Sequence, residues 1–268
     1  MLGNSEISII FATIKKKIQT LNFKLKLKDM KNLKVSVLGL CSMVLLAGCG
    51  MNNTAKGGIF GGAGGAALGG ILGQVIGHNT KSTAIGAAIG TAVGATAGVL
   101  IGKKMDKAKA AAAAVENAKV EGITDENGQT MAVKVTFDSG ILFPSSSATL
   151  QAAAKNSLTE FANVLKQNND ADVAIKGYTD NQGWKNSTAA QSAQKNEALS
   201  LQRAQSVQKY LNGQGVSSSH IKSVEGLGES DPVADNSTAA GRQQNRRVEV
   251  YLFPSQAMID AANNGTLQ

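Results

Sequence analysis

Glycine recurs at every fourth residue at Gly61, Gly65, Gly69, Gly73 and Gly77, and again at Gly86, Gly90, Gly94, Gly98 and Gly102. His78-Asn79-Thr80-Lys81-Ser82-Thr83 separates the two runs. Residues four apart share a helix face, so each run would present a glycine stripe that a second helix can approach closely. In water each glycine costs a helix about 1 kcal/mol relative to alanine, so such helices need a membrane or a tight partner. No formal charge occurs in 57–80 or 82–102, and Lys56, Lys81, Lys103 and Lys104 bracket these stretches. Each is close to the ~20 residues that cross a hydrocarbon core. Residues 57–104 therefore read as a helical hairpin inserted in a membrane. A flexible glycine/alanine tether and a self-assembling surface zipper are the alternatives. His78 reads as a polar turn residue rather than a ligand.

Half of the 30 glycines lie in 57–102, so the average composition of the 268-residue chain describes no part of it. The net charge of +8 is similarly uneven. Lysines dominate before residue 123, whereas 123–254 holds twelve basic and thirteen acidic residues. A near-neutral segment without a basic aromatic stripe gives nucleic acid little to bind, and no nucleic-acid partner is expected.

The two cysteines, Cys41 and Cys49, both fall in an apolar stretch, so the folded part has neither a disulfide framework nor a multi-cysteine metal site. From Met30 the chain reads Met-Lys-Asn-Leu-Lys, then an apolar run over 35–46, then Leu46-Ala47-Gly48-Cys49. A basic start, a short apolar core and small residues before a cysteine resemble a bacterial lipoprotein signal peptide with its lipobox. The resemblance implies a signal over 30–48, cleavage before Cys49, acylation of that residue by palmitate-like chains, and a lipidated linker over 49–56. Several acyl chains anchor stably where one does not. The rival reading makes 35–46 a buried helix. Residues 1–29 read as an extension ahead of the true start at Met30, with an amphipathic membrane-surface peptide as the alternative. Gly50 rather than aspartate follows the cysteine, which favours the outer membrane.

Residues 105–129, with Ala110 to Ala114 unbroken, read as a helical or extended spacer. From Thr130 the periodicities become those of a folded unit. Val133, Val135 and Phe137 alternate as a strand, and Leu150, Ala154, Leu158, Phe161 and Leu165 keep helical spacing. Val173 and Ile175 form a second strand ending at Gly177, and Leu201, Ala204, Val207 and Leu211 a second helix. Strands at 221–225 and at Val248, Val250 and Leu252 complete a βαβαβ…β pattern. This predicts an α+β fold, an α/β sandwich of a mixed sheet with helices on one face, over 130–254, followed by a tail over 255–268.

Within that region stand Phe143 with Ser147-Ala148-Thr149-Leu150, then Gly177-Tyr178-Thr179-Asp180, then Asn196 with Leu199-Ser200 and Arg203-Ala204. Gly226-Leu227-Gly228 with Pro232, and Gly241-Arg242-Gln243-Gln244-Asn245-Arg246-Arg247-Val248-Glu249, follow in order. Together these resemble the OmpA-like C-terminal domain, a peptidoglycan-binding module. The resemblance implies that Asp180 and Arg203 grip the free end of diaminopimelate in the stem peptide, with Thr179, Asn196, Arg246 and Ser146 around them. The chemistry is legible on its own terms: a carboxylate and a guanidinium complement one ammonium and one carboxylate. The bland alternative has Asp180 capping the following segment and pairing internally with Arg203.

Three departures from the family pattern stand out. Pro144 replaces an aspartate, Tyr178 replaces a histidine, and the interval from Asp180 to Asn196 is longer, the added text being 184–195. Trp184, the single tryptophan, reads as a pocket wall or as loop packing. Arg246 and Arg247 should point to opposite faces of the last strand.

The expected function is a non-enzymatic, lipid-anchored tether between the outer membrane and the wall, its domain facing the periplasm. It would need no cofactor and no metal. The alternative is a glycine-zipper membrane oligomer or pore that uses the wall-binding domain as its anchor. A hydrolase has little support, because His220 is the one histidine after His78 and no Cys-His pair survives processing.

Overall fold

The computed structural model describes residues 95–125 and 127–267. The expected signal peptide, Cys49 and the glycine runs as far as Gly94 lie outside the described residues. In chain order the elements are helix α1 (Ala95–Ala113), strands β1 (Ala118–Thr124) and β2 (Thr130–Asp138), and the one-turn helix α2 (Ser139–Leu142). Next come α3 (Ala152–Gln167), β3 (Ala171–Gly177), α4 (Ala189–Gly213) and β4 (Ile221–Gly226). Last are α5 (Ala239–Asn245), β5 (Arg247–Pro254) and α6 (Gln256–Asn263).

The five strands form one mixed sheet in the order β1-β2-β5-β3-β4. β3 and β4 are parallel, joined through α4, and every other pair is antiparallel. The register aligns Val133, Leu252 and Val173 across three strands, and likewise Val135, Val250 and Ile175. Because side chains alternate along a strand, this alignment gathers the branched residues on one face. Helix α3 covers that face with Ala154, Leu158, Phe161 and Leu165, the Phe161 ring meeting Phe137 edge-on at 5.5 Å. Helix α4 adds Ala204, Val207 and Leu211. The α+β arrangement read from the sequence is thus the observed one.

The folded unit begins earlier and ends later than the periodicities suggested. Helix α1 passes through Gly98 and Gly102 and buries Ala97, Ile101, Met105, Ala108 and Ala112 in the same core. Thr130 Oγ1 donates to Asp106 at 2.5 Å, and Lys104 pairs with Asp170 at 3.0 Å. A Cβ on Gly102 would meet Gln129 Cβ at 3.3 Å, so the missing side chain lets the helix lie close to the turn before β2. The end of the second glycine run is therefore packed on the domain. Among the described residues no helix is long and apolar enough to cross a membrane. The stretch expected as a spacer supplies β1, an antiparallel partner for β2, and the expected tail supplies α6, which buries Met258, Ile259 and Ala262.

The opposite face of the sheet is polar at its centre. Arg247 Nε donates to Glu249 Oε1 at 2.7 Å, and Tyr251 donates to Glu249 Oε2 at 2.5 Å. The Arg247 guanidinium lies 3.7 Å from the Tyr178 ring centroid, and Lys176 Nζ 5.6 Å from that of Tyr251. Burial works against the Glu249 carboxylate, but Arg247 and the hydrogen bond from Tyr251 outweigh it and hold its pKa low.

Candidate functional site

At the ends of β2 and β3 the chain leaves the sheet and encloses a cavity of about 700 Å³. Asp138 starts one wall: its side chain accepts from Gly140 N at 2.6 Å and so caps α2. The loop from Phe143 to Gln151 then runs along the rim. Asp180 follows directly after β3, Arg246 stands at the junction of α5 and β5, and Arg203 projects from α4.

Two glycines bring α4 to that place. A Cβ on Gly177 would collide with Ser200 O, and one on Gly226 with Leu201 N, so the helix rests directly on the backbone of β3 and β4. Ser200 Oγ accepts from Gly228 N at 2.9 Å, and Gly228 O accepts from Thr179 N at 2.7 Å. Helix, turn and the segment bearing Asp180 are thereby joined in one hydrogen-bonded chain.

Asp180 is 7% exposed and held at both oxygens. Oδ1 accepts from Gln182 N at 3.1 Å and Oδ2 from Arg246 Nη1 at 2.5 Å. Arg203, 4% exposed, does not pair with it. Its Nε donates to Ser147 O at 3.0 Å, Nη2 reaches Pro144 O at 3.5 Å, and its guanidinium carbon lies 5.3 Å from the Phe143 ring centroid. Among the described residues Nη1 makes no hydrogen bond. Burial pushes the Arg203 pKa down, Arg246 beside it pushes the same way and Asp180 opposes them. A guanidinium nonetheless stays charged at neutral pH, so the cavity holds an acceptor and a donor of full charge side by side.

All six residues singled out from the sequence, Asp180, Arg203, Thr179, Asn196, Arg246 and Ser146, line this one cavity. They differ in what they have free. Thr179 Oγ1 is buried and makes no hydrogen bond among the described residues, and Ser146 sits at the mouth with φ of 53°. Asn196 is committed to the protein itself. Its Oδ1 accepts from Trp184 Nε1 at 2.7 Å, while Nδ2 reaches Gln182 O and Glu229 Oε2, each at 3.2 Å. Trp184 therefore stands in the cavity wall, and Asn196 is what fixes it there. Arg246 and Arg247 diverge, the first into the cavity and the second onto the Tyr178 ring, but β5 begins only at Arg247, so Arg246 is aimed by the end of α5 rather than by strand alternation.

Sequence reasoning missed Ser139, whose hydroxyl is buried at the cavity without a partner among the described residues, and Lys185 at its rim. Ser139 follows the capping Asp138 and so reads locally as part of a helix start. Nothing in its neighbours marks it as facing a cavity.

Fold and cavity define an α+β module that presents opposite charges in a recess at the strand ends. Residues 142–246 match the OmpA family, and residues 30–106 match the YMGG-like Gly-zipper family. The folded region thus carries an OmpA-like stretch, and the glycine-zipper match runs from ahead of it into α1. The probable lipoprotein YiaD of Escherichia coli is 44% identical over 120 residues, which are 45% of this chain and 51% of that protein. The peptidoglycan-binding protein ArfA of Mycobacterium bovis is 41% identical over 121 residues, 45% of this chain and 34% of that one. The outer-membrane lipoprotein YfiB of Pseudomonas aeruginosa is 38% identical over 116 residues, 43% of this chain and 64% of its relative. The chain therefore spans about half or less of the length of the first two and under two thirds of the third.

Proposed function

We propose that the domain binds peptidoglycan non-covalently by taking the free end of diaminopimelate between Asp180 and Arg203, and that it does no chemistry on it. The observation that carries this reading is one cavity holding a carboxylate aligned by Gln182 N and Arg246 beside a buried guanidinium with Nη1 uncommitted. The ligand ammonium joins Asp180, and its carboxylate joins Arg203 and Arg246. Thr179 Oγ1 gains the partner it lacks, Ser146 closes the mouth, and Asn196 keeps the wall in place. The similarity to a peptidoglycan-binding protein and two lipoproteins supports the same reading.

With Cys49 acylated in the outer membrane, the domain would tether that membrane to the wall from the periplasmic side. Single-site affinity can be modest, because many copies on one surface raise the effective concentration.

Asp180→Asn tests the pocket: the amide oxygen can still accept from Gln182 N, while the charge is lost and the amide nitrogen leaves Arg246 without its acceptor. A charge-assisted hydrogen bond contributes about 1.5–3 kcal/mol, so pull-down with purified sacculi should weaken roughly tenfold or more with an unchanged circular dichroism spectrum. Undiminished binding by a folded Asp180→Asn protein would refute the pocket.

A further inference from the structure

The insertion that lengthens the interval between Asp180 and Asn196 does not hang loose over solvent. Thr188 begins α4 with a reciprocal capping box to Gln191, and Lys195 Nζ donates to Ser187 Oγ at 2.8 Å while lying 5.9 Å from the Trp184 ring centroid. Trp184 N donates to Ser192 Oγ at 3.0 Å, and its indole N–H to Asn196. The loop is thus fastened to α4 at both its backbone and its ring. Its tip sets Trp184 and the exposed Lys185 on the cavity wall.

Charge says what that tip is for. The ionisable residues lining the cavity are Asp180, Lys185, Arg203 and Arg246, one anion against three cations. A zwitterionic amino-acid end is neutral and leaves this excess uncompensated. Among the described residues the Lys185 ammonium forms no ion pair, and the carboxylates behind the walls turn to neutral donors rather than to it: Asp138 to Gly140 N and Gln243, Glu229 to Asn196.

We propose that Trp184 and Lys185 form a second subsite that takes a carboxylate on the residue neighbouring diaminopimelate, with the indole face packing against the intervening chain. This rests on the reading of the main pocket given above and deepens it: the site would read a stem peptide rather than a single amino acid.

Trp184 is the only tryptophan, so its fluorescence in the full-length protein reports on this wall directly. Three probes suffice: meso-diaminopimelate, a stem peptide with a free carboxylate on the adjacent residue, and the same peptide with that carboxylate amidated. The wild type should bind the free-carboxylate peptide about 1.5- to fivefold more tightly than the amidated one, the range of a solvent-exposed ion pair. Raised salt should shrink the difference. Lys185→Gln should erase it, and Lys185→Arg should retain it. Equal affinity of the wild type for the two peptides, or a preference that survives in Lys185→Gln, overturns the subsite while leaving the main pocket standing. If no probe binds the wild type, the main pocket itself fails. Lys185 is exposed, so neither substitution threatens the fold.

Discussion

The Asp180 carboxylate is already oriented within the cavity. Arg246 and the Gln182 amide hold its two oxygens, and Arg203 is placed by the carbonyls of Pro144 and Ser147 rather than by Asp180. Such preorganisation lowers the ordering cost of binding. The same local logic governs Glu121 on the polar face, where hydrogen bonds from Lys119 and Lys134 depress its pKa to about 2. A depressed carboxylate contributes stability that is present above its unfolded value near 4.5 and lost as pH falls toward 2. Its side chain is 41% exposed, so solvent screening holds the contribution to about 0.5–1 kcal/mol. Urea titrations of Glu121→Gln should show that deficit at pH 7 and a much smaller one at pH 2. A deficit constant across this range would mean that the substitution acts through packing instead.

Among the elements, α4 bears the most on the site, because it carries Asn196, Ser200 and Arg203 along one face. Its apolar spacing was plain in the sequence, and so were the glycines at 177 and 226, yet only the packing shows why those glycines are needed. A methyl at either would have to occupy the space of α4 backbone. Gly177→Ala should therefore cost about 1–3 kcal/mol in chemical denaturation by overpacking, and should also displace Arg203 and weaken wall binding. A variant of wild-type stability would show that the helix can retreat without loss. Trp184 shows the other limit of local reading. Its neighbours fit a packed loop as well as a cavity wall, and what decides is Asn196, twelve residues away, at the end of its indole N–H.

At the scale of the whole molecule, α1 changes where the domain begins. Its buried stripe is built largely of alanine, which favours helix whether or not it is buried, so the stripe could not be told from a solvated spacer. Strand β1 was hidden for a related reason: only half-buried, it is stabilised by its ladder with β2 rather than by strong alternation. If α1 belongs to the folded unit, Ile101→Ala in the full chain should reduce unfolding free energy by about 2–5 kcal/mol. An unchanged denaturation midpoint would return α1 to the role of a linker.

Asp180, Arg203 and Arg246 were marked by the family resemblance and Lys185 was missed, whereas the order of strands β2 to β5 with helices α3 and α4, and the apolar face of the central strands, could be read along the chain. These last depend on spacing and residue type, which are local properties. Tertiary structure alone decided that Asp180 pairs with Arg246 rather than Arg203, that Asn196 holds Trp184, and that an alanine-rich helix lies on the sheet. Each of these joins residues far apart along the chain or turns on packing that no single segment contains, and such contacts exist only once the backbone has closed around a common core.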